Sequence, residues 1–149
     1  MKYVYLAGPI EGCTQEEINL WRDNAQQMFS EGVLGVSPTK LDSRYSSAII
    51  TQNYMDTTKC DVVLAYLPRC ISDRRCSYGT VCEIAWAYAH QTPVVIVSDD
   101  EFVHKHPLLD VAGAHFTELE EAIDYINILL GEYDRTSWKR GLDWDIMAQ

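Results

Sequence analysis

The sequence predicts an α/β fold, a doubly wound, flavodoxin-like or Rossmann-like parallel sheet of five strands with helices on both faces. The first observation is a set of continuous apolar runs rich in β-branched residues, such as DVVLAYLP and PVVIVS. Such runs are typical of strands that are buried on both faces. The second observation is that amphipathic helical patterns alternate with these runs, as they do in parallel sheets.

The first half of the chain supplies two strands and two helices. KYVYLAG is a short strand that ends in glycine and proline, and VLGVSP is a brief second strand. Residues 14–31 are predicted to form a helix, because acidic residues begin an apolar stripe at helical spacing. A short helix is predicted around residues 46–59. The stripe of the first helix consists of Ile18, Trp21, Ala25, Met28 and Phe29.

The second half continues the alternation of strands and helices. DVVLAYLP and PVVIVS are buried strands, and the helix between them is predicted to begin at Thr80. LEEAIDYINILLGEY is the last clear helix. We therefore expect one domain over residues 1–135, followed by a polar tail with two tryptophans over residues 136–149.

Composition excludes several classes of function. Hydrophobic residues make up 47% of the 149 residues and aromatic residues 11%, which predicts a compact globule. The formal net charge of −10 disfavours nucleic acids and anionic membranes, which are bound through clustered Lys and Arg. The sequence shows neither a membrane span nor a signal peptide pattern. We expect a cytoplasmic protein with small-molecule or protein partners.

The cysteine and histidine patterns predict no metal site. The five cysteines are an odd number without CxxC spacing or a recognisable Cys/His ligand pattern, so they are interpreted as reduced thiols. His104 and His106 form HKHP just beyond a strand, and we interpret this stretch as a solvated loop.

Loops at the carboxyl ends of the strands are the expected ligand-binding segments. In open parallel sheets ligands bind beyond these ends, which selects AGPIEG, SPTKLDSRY, PRCISDRRCSYGT and SDDEF. Gly8, Gly12 and Gly79 would let the backbone approach a ligand closely. The chain has neither GxGxxG nor GxxxxGK[ST], so a dinucleotide fingerprint and a P-loop are both excluded.

Glu83 has two interpretations. Thr80 followed by Glu83 and an apolar run fits a capping box at a helix start. The alternative is a carboxylate in the first turn of the helix, ionised by the helix dipole and able to act as a nucleophile. Its place at the crevice beyond the strands favours the chemical role.

Three segments in this order resemble the nucleoside 2-deoxyribosyltransferase superfamily, which includes the 2′-deoxynucleoside 5′-monophosphate N-hydrolases. The segments are YLAGPI, NYMDTTKCDVVLAYL and SYGTVCEIAWAYAHQTPVVIV. The resemblance covers roughly residues 3–125.

The resemblance implies a displacement at a sugar carbon that retains configuration. Glu83 matches the glutamate that attacks the anomeric carbon and forms a glycosyl ester, which passes to another base or to water. Tyr5 matches a tyrosine that contacts the nucleophile or the sugar; as a residue of a buried strand it is alternatively a core aromatic. No metal or organic cofactor is implied. The other matched substrate-binding positions are Gly8, Pro9, Ile10, Gly79 and Thr80.

The chain departs from the family pattern where the leaving base would be protonated. Family members commonly carry an aspartate at the position of Asn53, whose amide cannot supply a proton as a carboxylic acid can. Asp56, one helical turn further on, is the candidate replacement. Asp61, at the start of the third strand, is a candidate substrate ligand or a strand-end cap.

Ser77 bears on the 5′ end of the substrate. Transferases of free nucleosides often carry an aspartate at this position, whereas the nucleotide hydrolases carry a serine, which tolerates a phosphate dianion. Ser77 therefore favours a nucleotide or a looser 5′ site, while Glu11 in the first loop opposes a phosphate. Nearby loops contain arginines that either serve a phosphate or form a solvated face: Arg44, Arg69, Arg74 and Arg75.

Three functions remain open from the sequence. The first is a deoxyribosyltransferase that moves the sugar between bases, the second is a hydrolase of deoxynucleoside monophosphates, and the third is a nucleotide-sensing domain in which Glu83 is only a cap. The resemblance also implies a homodimer or a higher homo-oligomer, although HPLLDVAGAHF lacks the asparagine or serine that a partner subunit often contributes.

Overall fold

A computed structural model describes residues 1–38, 46–70 and 76–131. The strands are β1 (Lys2–Ala7), β2 (Val33–Val36), β3 (Val62–Tyr66), β4 (Val94–Val97) and β5 (Ala114–Phe116). The helices are α1 (Gln15–Met28), α2 (Ser46–Lys59), α3 (Tyr78–Ala89), α4 (Glu101–Lys105), α5 (Pro107–Asp110) and α6 (Leu119–Leu130). The predicted tail, residues 136–149, lies outside the described residues, as do Arg44, Arg74 and Arg75.

The five strands form one parallel sheet in the order β2-β1-β3-β4-β5. The prediction of a doubly wound, five-stranded parallel sheet is therefore confirmed. β1 lies between β2 and β3, and the strand order reverses beside it. The carboxyl end of β1 thus opens into the crevice where such sheets bind ligands.

Alternating residues of the strands pack on opposite faces of the sheet. In β1, Val4 and Leu6 join the core beneath α1 and α6, whereas Tyr5 and Ala7 join the core beneath α3. All four side chains are at most 2% exposed. The period of two in strand side-chain direction therefore assigns Tyr5 to the face that carries α3.

The structure corrects three predictions about the elements. Helix α3 begins at Tyr78, two residues before the predicted start at Thr80. The fifth strand, whose place the sequence pattern does not predict, is Ala114–Phe116. HKHP is not a solvated loop, because His104 lies in the last turn of α4 and His106 caps α5.

The side chain of His104 is part of the packing between α4 and β5. Its Nδ1 lies 2.8 Å from Nδ1 of His115, and its Nε2 lies 2.8 Å from the carbonyl oxygen of Ser98. Within the described residues, no helix has the length and apolar character needed to cross a membrane, and no group of three or more His, Cys, Asp or Glu is arranged to hold a metal ion.

Candidate active site

A cavity of about 480 Å³ opens at the carboxyl end of β1, on the face of the sheet that carries α2 and α3. Glu83 of α3 and Asn53 of α2 both line it. No Lys, Arg or His is found among the described lining residues. The remaining lining residues are Gly8, Ile10, Glu11, Gly12, Pro38, Cys76, Ser77, Tyr78, Gly79 and Thr80.

The helix that carries Glu83 is capped by another residue. Ser77 precedes α3, and its Oγ accepts a hydrogen bond from the backbone N–H of Thr80 at 3.4 Å. Glu83 follows this cap by six residues, in the second turn of the helix, and the first turn contains no acidic residue. The capping box of Thr80 and Glu83 and the placement of Glu83 in the first turn are therefore both wrong.

Burial of Glu83 follows from helical spacing. Thr80, Glu83, Ile84 and Ala87 are buried, at the i, i+3, i+4, i+7 spacing of one helix face. Glu83 is 8% exposed, so an ionisable group occupies a position that helices normally give to an apolar side chain. Neither capping nor solvation accounts for a carboxylate at this position.

Tyr5 is the hydrogen-bond partner of Glu83. The Tyr5 hydroxyl donates to Oε1 of Glu83 at 3.0 Å, and the tyrosine is fully buried. Burial and the negative charge of Glu83 raise the pKa of Tyr5 above its ordinary value, so the hydroxyl keeps its proton and remains a donor. The bond fixes one carboxylate oxygen and leaves the other for a ligand.

The charge of Glu83 is balanced between opposing effects. Burial raises its pKa from 4.5 to about 7, while the hydrogen bond from Tyr5 and the positive charge of Arg22 act to lower it. A carboxyl group with a pKa near neutrality is present in both protonation states at pH 7. Such groups are concentrated at functional sites.

Asn53 and Asp56 have different surroundings. Asn53 lines the cavity together with Glu83. Asp56 is not among the lining residues, and its Oδ1 accepts a hydrogen bond from Nε2 of Gln52 at 2.8 Å. The structure therefore does not bring Asp56 to the position expected for a replacement of the family aspartate.

The other predicted residues divide into two groups. Gly8, Ile10, Gly79 and Thr80 line the cavity with Ser77, whereas Pro9 does not. Asp61 lies before β3, at the opposite end of the sheet from the cavity. It binds the amino-terminal part of β1 through a hydrogen bond of 2.7 Å from Tyr3 N and an ion pair of 3.6 Å with Lys2. Asp61 therefore lies outside the site and links the beginnings of β3 and β1.

Gly8 shows why a glycine ends β1. A Cβ atom added there would lie 2.5 Å from Cζ2 of Trp21, closer than any normal contact. The absent side chain thus allows the Trp21 ring to pack against the turn that borders the cavity.

Sequence reasoning missed Arg22 of α1, which is 4% exposed. The available signal is its place between Ile18 and Ala25 on the buried face of the helix, where a charged residue is unusual. Its guanidinium donates to the carbonyl oxygens of Leu6 and Gly8 at the end of β1.

A second cavity of about 460 Å³ lies on the other face of the sheet, between the beginnings of α1 and α6. It contains neither Glu83 nor Tyr5, and Glu17, Asp99, Glu118 and Glu120 line it. The described residues that combine a buried carboxylate with a donor are found in the cavity beside α3.

Comparison with known proteins decides the family. The sequence model of the family described as nucleoside 2-deoxyribosyltransferase matches residues 4–130. The chain belongs to this family. No curated protein sequence matches the chain significantly. Nucleoside 2-deoxyribosyltransferase family membership agrees with the parallel sheet and gives this chain nucleosides and nucleobases as its general class of substrate.

Solved structures share the fold of this nucleoside 2-deoxyribosyltransferase family member. A 2-desoxiribosyltransferase from Leishmania mexicana has a TM-score of 0.69 and 19% identity, over 85% of this chain and 97% of that chain. A 2-deoxyribosyltransferase from Bacillus psychrosaccharolyticus has a TM-score of 0.63 and 17% identity, over 83% and 91%. A CMP N-glycosidase from Clostridium botulinum has a TM-score of 0.58 and 16% identity, over 87% and 100%.

Proposed function

We propose that this protein is a nucleoside 2-deoxyribosyltransferase that cleaves the N-glycosidic bond of 2′-deoxynucleosides through Glu83. The observation that carries the proposal is the buried Glu83 carboxylate, held by Tyr5 at 3.0 Å and open to a cavity at the carboxyl end of β1. A carboxylate whose burial raises its pKa to about 7 is less solvated than a surface carboxylate. It is correspondingly more available as a nucleophile.

The reaction has two displacements. In the first, the free oxygen of Glu83 bonds to the anomeric carbon while the bond from that carbon to the base nitrogen breaks, and the electron pair leaves with the base. In the second, a nitrogen of an acceptor base bonds to the same carbon, and the ester bond breaks to return the electron pair to Glu83. The proton that this nitrogen releases balances, through water, the proton that the departed base takes up. Two inversions give overall retention. The Tyr5 hydroxyl orients the carboxylate in both steps and keeps its own proton.

Protonation of the leaving base distinguishes this site from the family pattern. Asn53 supplies an amide that hydrogen-bonds a base without transferring a carboxyl proton. The described lining residues contain one further carboxyl group, that of Glu11. We propose that bases able to leave without strong acid assistance are the better substrates.

Free deoxynucleosides are the proposed substrates. The observation that supports this choice is the carboxylate of Glu11, which adds a negative charge to the lining of the cavity. The second candidate is hydrolysis of deoxynucleoside 5′-monophosphates. Ser77 favours this second candidate. Its Oγ lies 2.7 Å from Oγ1 of Thr80, and because only one of the two hydroxyl groups donates in this contact, the other can donate to a phosphate. The amino-terminal end of α3 also attracts a phosphate. A sensing domain without catalysis is less well supported, because Ser77 caps α3 and Glu83 does not.

The proposal extends to assembly and location. The exposed side of α3 carries Tyr78, Cys82 and Tyr88, and an apolar helix side of this kind supports the expected homo-oligomer. We propose a cytoplasmic enzyme that works as a homodimer or a higher oligomer. The carboxylate chemistry itself requires no metal or organic cofactor.

The test separates the three functions. Purified protein is incubated with each 2′-deoxynucleoside and each 5′-monophosphate, with and without a second free base, and the products are separated by chromatography. A new nucleoside that forms only with an acceptor base indicates transfer. Free base released from monophosphates alone indicates hydrolysis. Absence of turnover with every substrate would contradict the proposed enzyme.

A matched pair of variants assigns the nucleophile. Glu83→Gln keeps the size of the side chain and should reduce turnover by at least about a thousandfold. Glu121→Gln removes an exposed carboxylate from α6 and should leave turnover unchanged. A glycosyl adduct on the Glu83 peptide, trapped with a 2′-fluoro-arabinosyl substrate and detected by mass spectrometry, would assign the ester; an adduct on another residue would overturn the assignment.

A further inference from the structure

Arg22 is a buried cation that contacts neutral groups. Its side chain starts on α1, and the residue is 4% exposed. Within the described part of the chain, no carboxylate lies within 4 Å of its guanidinium. Burial of an arginine without an ion-pair partner is costly, and accordingly burial lowers the pKa of Arg22 from its ordinary value.

The guanidinium is held by backbone carbonyl groups. Nε donates to the carbonyl oxygen of Leu6 at 3.3 Å, Nη2 donates to that of Gly8 at 3.1 Å, and Nη1 donates to that of Ile18. The group also lies over the Trp21 ring, 4.5 Å from the ring centroid. These contacts fix its position without neutralising its charge.

The charge reaches the candidate site from the opposite side of the sheet. Arg22 belongs to the face covered by α1 and α6, whereas Glu83 belongs to the face covered by α3. Gly8, just after β1, links the two, because its carbonyl oxygen accepts from Nη2 of Arg22 at 3.1 Å and the residue also lines the Glu83 cavity. The negative charge of Glu83 acts to raise the pKa of Arg22, against the effect of burial.

We infer that Arg22 is a positioning residue that stabilises the ionised form of Glu83 and fixes the turn after β1. The inference rests on the proposed function, because it concerns the same nucleophile. Arg22 acts through Glu83 and through the Gly8 carbonyl and does not touch the reacting atoms. In this respect it differs from Tyr5, which binds the carboxylate directly.

Other groups around Glu83 cannot replace this positive charge. Tyr5 of β1 is a neutral donor, and Asp56 of α2 brings a negative charge that acts on Tyr5. Arg22 is the cation that acts on Glu83 among the residues that the structure describes. In the described part of the chain, further titratable groups near the pair are Glu11 and Cys13 in the loop after β1, and Cys76 and Tyr78 at the start of α3.

The test compares two substitutions that separate charge from shape. Arg22→Gln removes the positive charge. Arg22→Lys keeps the charge but loses the planar guanidinium group with its several N–H donors. For Arg22→Gln we expect the acid limb of kcat/KM to move up by about one pH unit, which is a tenfold loss on that limb, with recovery towards wild type above pH 9. A uniform loss at every pH would overturn the inference, because it would indicate a purely structural role.

A second readout does not depend on turnover. With ¹³C-labelled glutamate, NMR follows the titration of the Glu83 carboxyl carbon, assigned by its absence in Glu83→Gln. The midpoint should rise by about one pH unit in Arg22→Gln and stay near wild type in Arg22→Lys. Lys59→Gln, which alters an exposed cation at the end of α2, is the control that should leave the midpoint unchanged.

The outcomes distinguish this inference from the proposed function. A shifted midpoint in a protein without turnover would support the role of Arg22 and contradict the enzyme. Turnover with an unshifted midpoint in Arg22→Gln would contradict the role of Arg22 alone. If circular dichroism shows that Arg22→Gln is unfolded, Arg22→Lys decides: a folded Lys variant whose midpoint rises by one unit would overturn the inference.

Discussion

Tyr5 and Glu83 are joined by a buried hydrogen bond of 3.0 Å although 78 residues separate them in the chain. Tyr5 comes from an interior strand of the sheet, and Glu83 comes from the helix that covers one face of it. The bond therefore sets the orientation of the carboxylate relative to β1 and the cavity.

Tyr5→Phe removes the donor and keeps the buried ring. Hydrogen bonds to charged groups contribute about 1.5–3 kcal/mol, so kcat/KM should fall by about 10- to 100-fold below pH 8. The loss should be larger at lower pH, because the pKa of Glu83 rises without this bond. Steady-state kinetics measure the effect. Tyr3→Phe, at the exposed beginning of the same strand, is the control, and equal losses in both variants would contradict the role of Tyr5.

The pH dependence of activity should follow the ionisation of Glu83. The nucleophile is the carboxylate, and burial raises the pKa of Glu83 to about 7. The value of kcat/KM should therefore increase about tenfold per pH unit below 7 and level off above it. A pH profile of the wild-type protein measures this limb. An activity that is flat from pH 5 to 8 would show that Glu83 is already ionised at pH 5.

Stability should change with pH in the opposite direction. Because the folded state binds the Glu83 proton more tightly than the unfolded state, the stabilisation is fully present below about pH 4.5 and is lost as the pH rises through about 7. The difference between a pKa of about 7 in the folded state and 4.5 in the unfolded state corresponds to on the order of 3 kcal/mol of stability. Glu83→Gln should therefore be more stable than wild type at pH 8 and similar at pH 4.5 in urea denaturation. A variant less stable than wild type at pH 8 would contradict this account.

Ser77→Asp tests the 5′ end of the substrate. Serine and aspartate are both good helix N-caps, so α3 should keep its start and the protein its stability. The added negative charge repels a phosphate dianion. The value of kcat/KM for monophosphates should fall by about 10- to 100-fold, while that for free nucleosides changes by less than about threefold. Equal changes for both substrates would show that Ser77 does not contact the 5′ position.

Asn53→Asp restores a carboxyl group beside the leaving base. We expect about tenfold faster cleavage of substrates whose bases need protonation. The acid limb of the kcat/KM profile should move to higher pH, because the new negative charge disfavours the ionised form of Glu83. Asp56→Asn is the comparison, since Asp56 lies outside the cavity lining and binds Gln52. It should retain kcat/KM within about twofold. A large loss of kcat/KM in Asp56→Asn would indicate that Asp56 is the acid that protonates the leaving base.

The sequence predicted the fold well because the central strands are continuous apolar runs. It gave no position for β5 because Ala114–Phe116 has three half-buried residues and no apolar run. It misplaced the start of α3 because Thr80 and Glu83 have the spacing of a capping box, whereas the hydroxyl of Ser77 forms the cap. Only the three-dimensional position of a side chain distinguishes these two caps.

The site residues differ in how far sequence could predict them. Glu83 and Tyr5 belong to motifs, so resemblance identified them. Asp61 is predicted as a possible substrate ligand, but it precedes β3. Because ligands bind beyond the carboxyl ends of parallel strands, the amino-terminal end of β3 lies away from the crevice. Arg22 belongs to no motif. Its role depends on contacts across the end of β1 that sequence spacing does not show.

The position of β1 in the interior of the sheet has a consequence for folding. β1 pairs with β2 on one side and with β3 on the other, and Tyr5 binds a helix residue that follows β3. Parallel pairing of this kind closes long loops before it gains contacts, which makes it slow. A nascent chain therefore has Tyr5 buried against its final partner only after residue 83 has left the ribosome, so the candidate site cannot assemble before α3 has been synthesised.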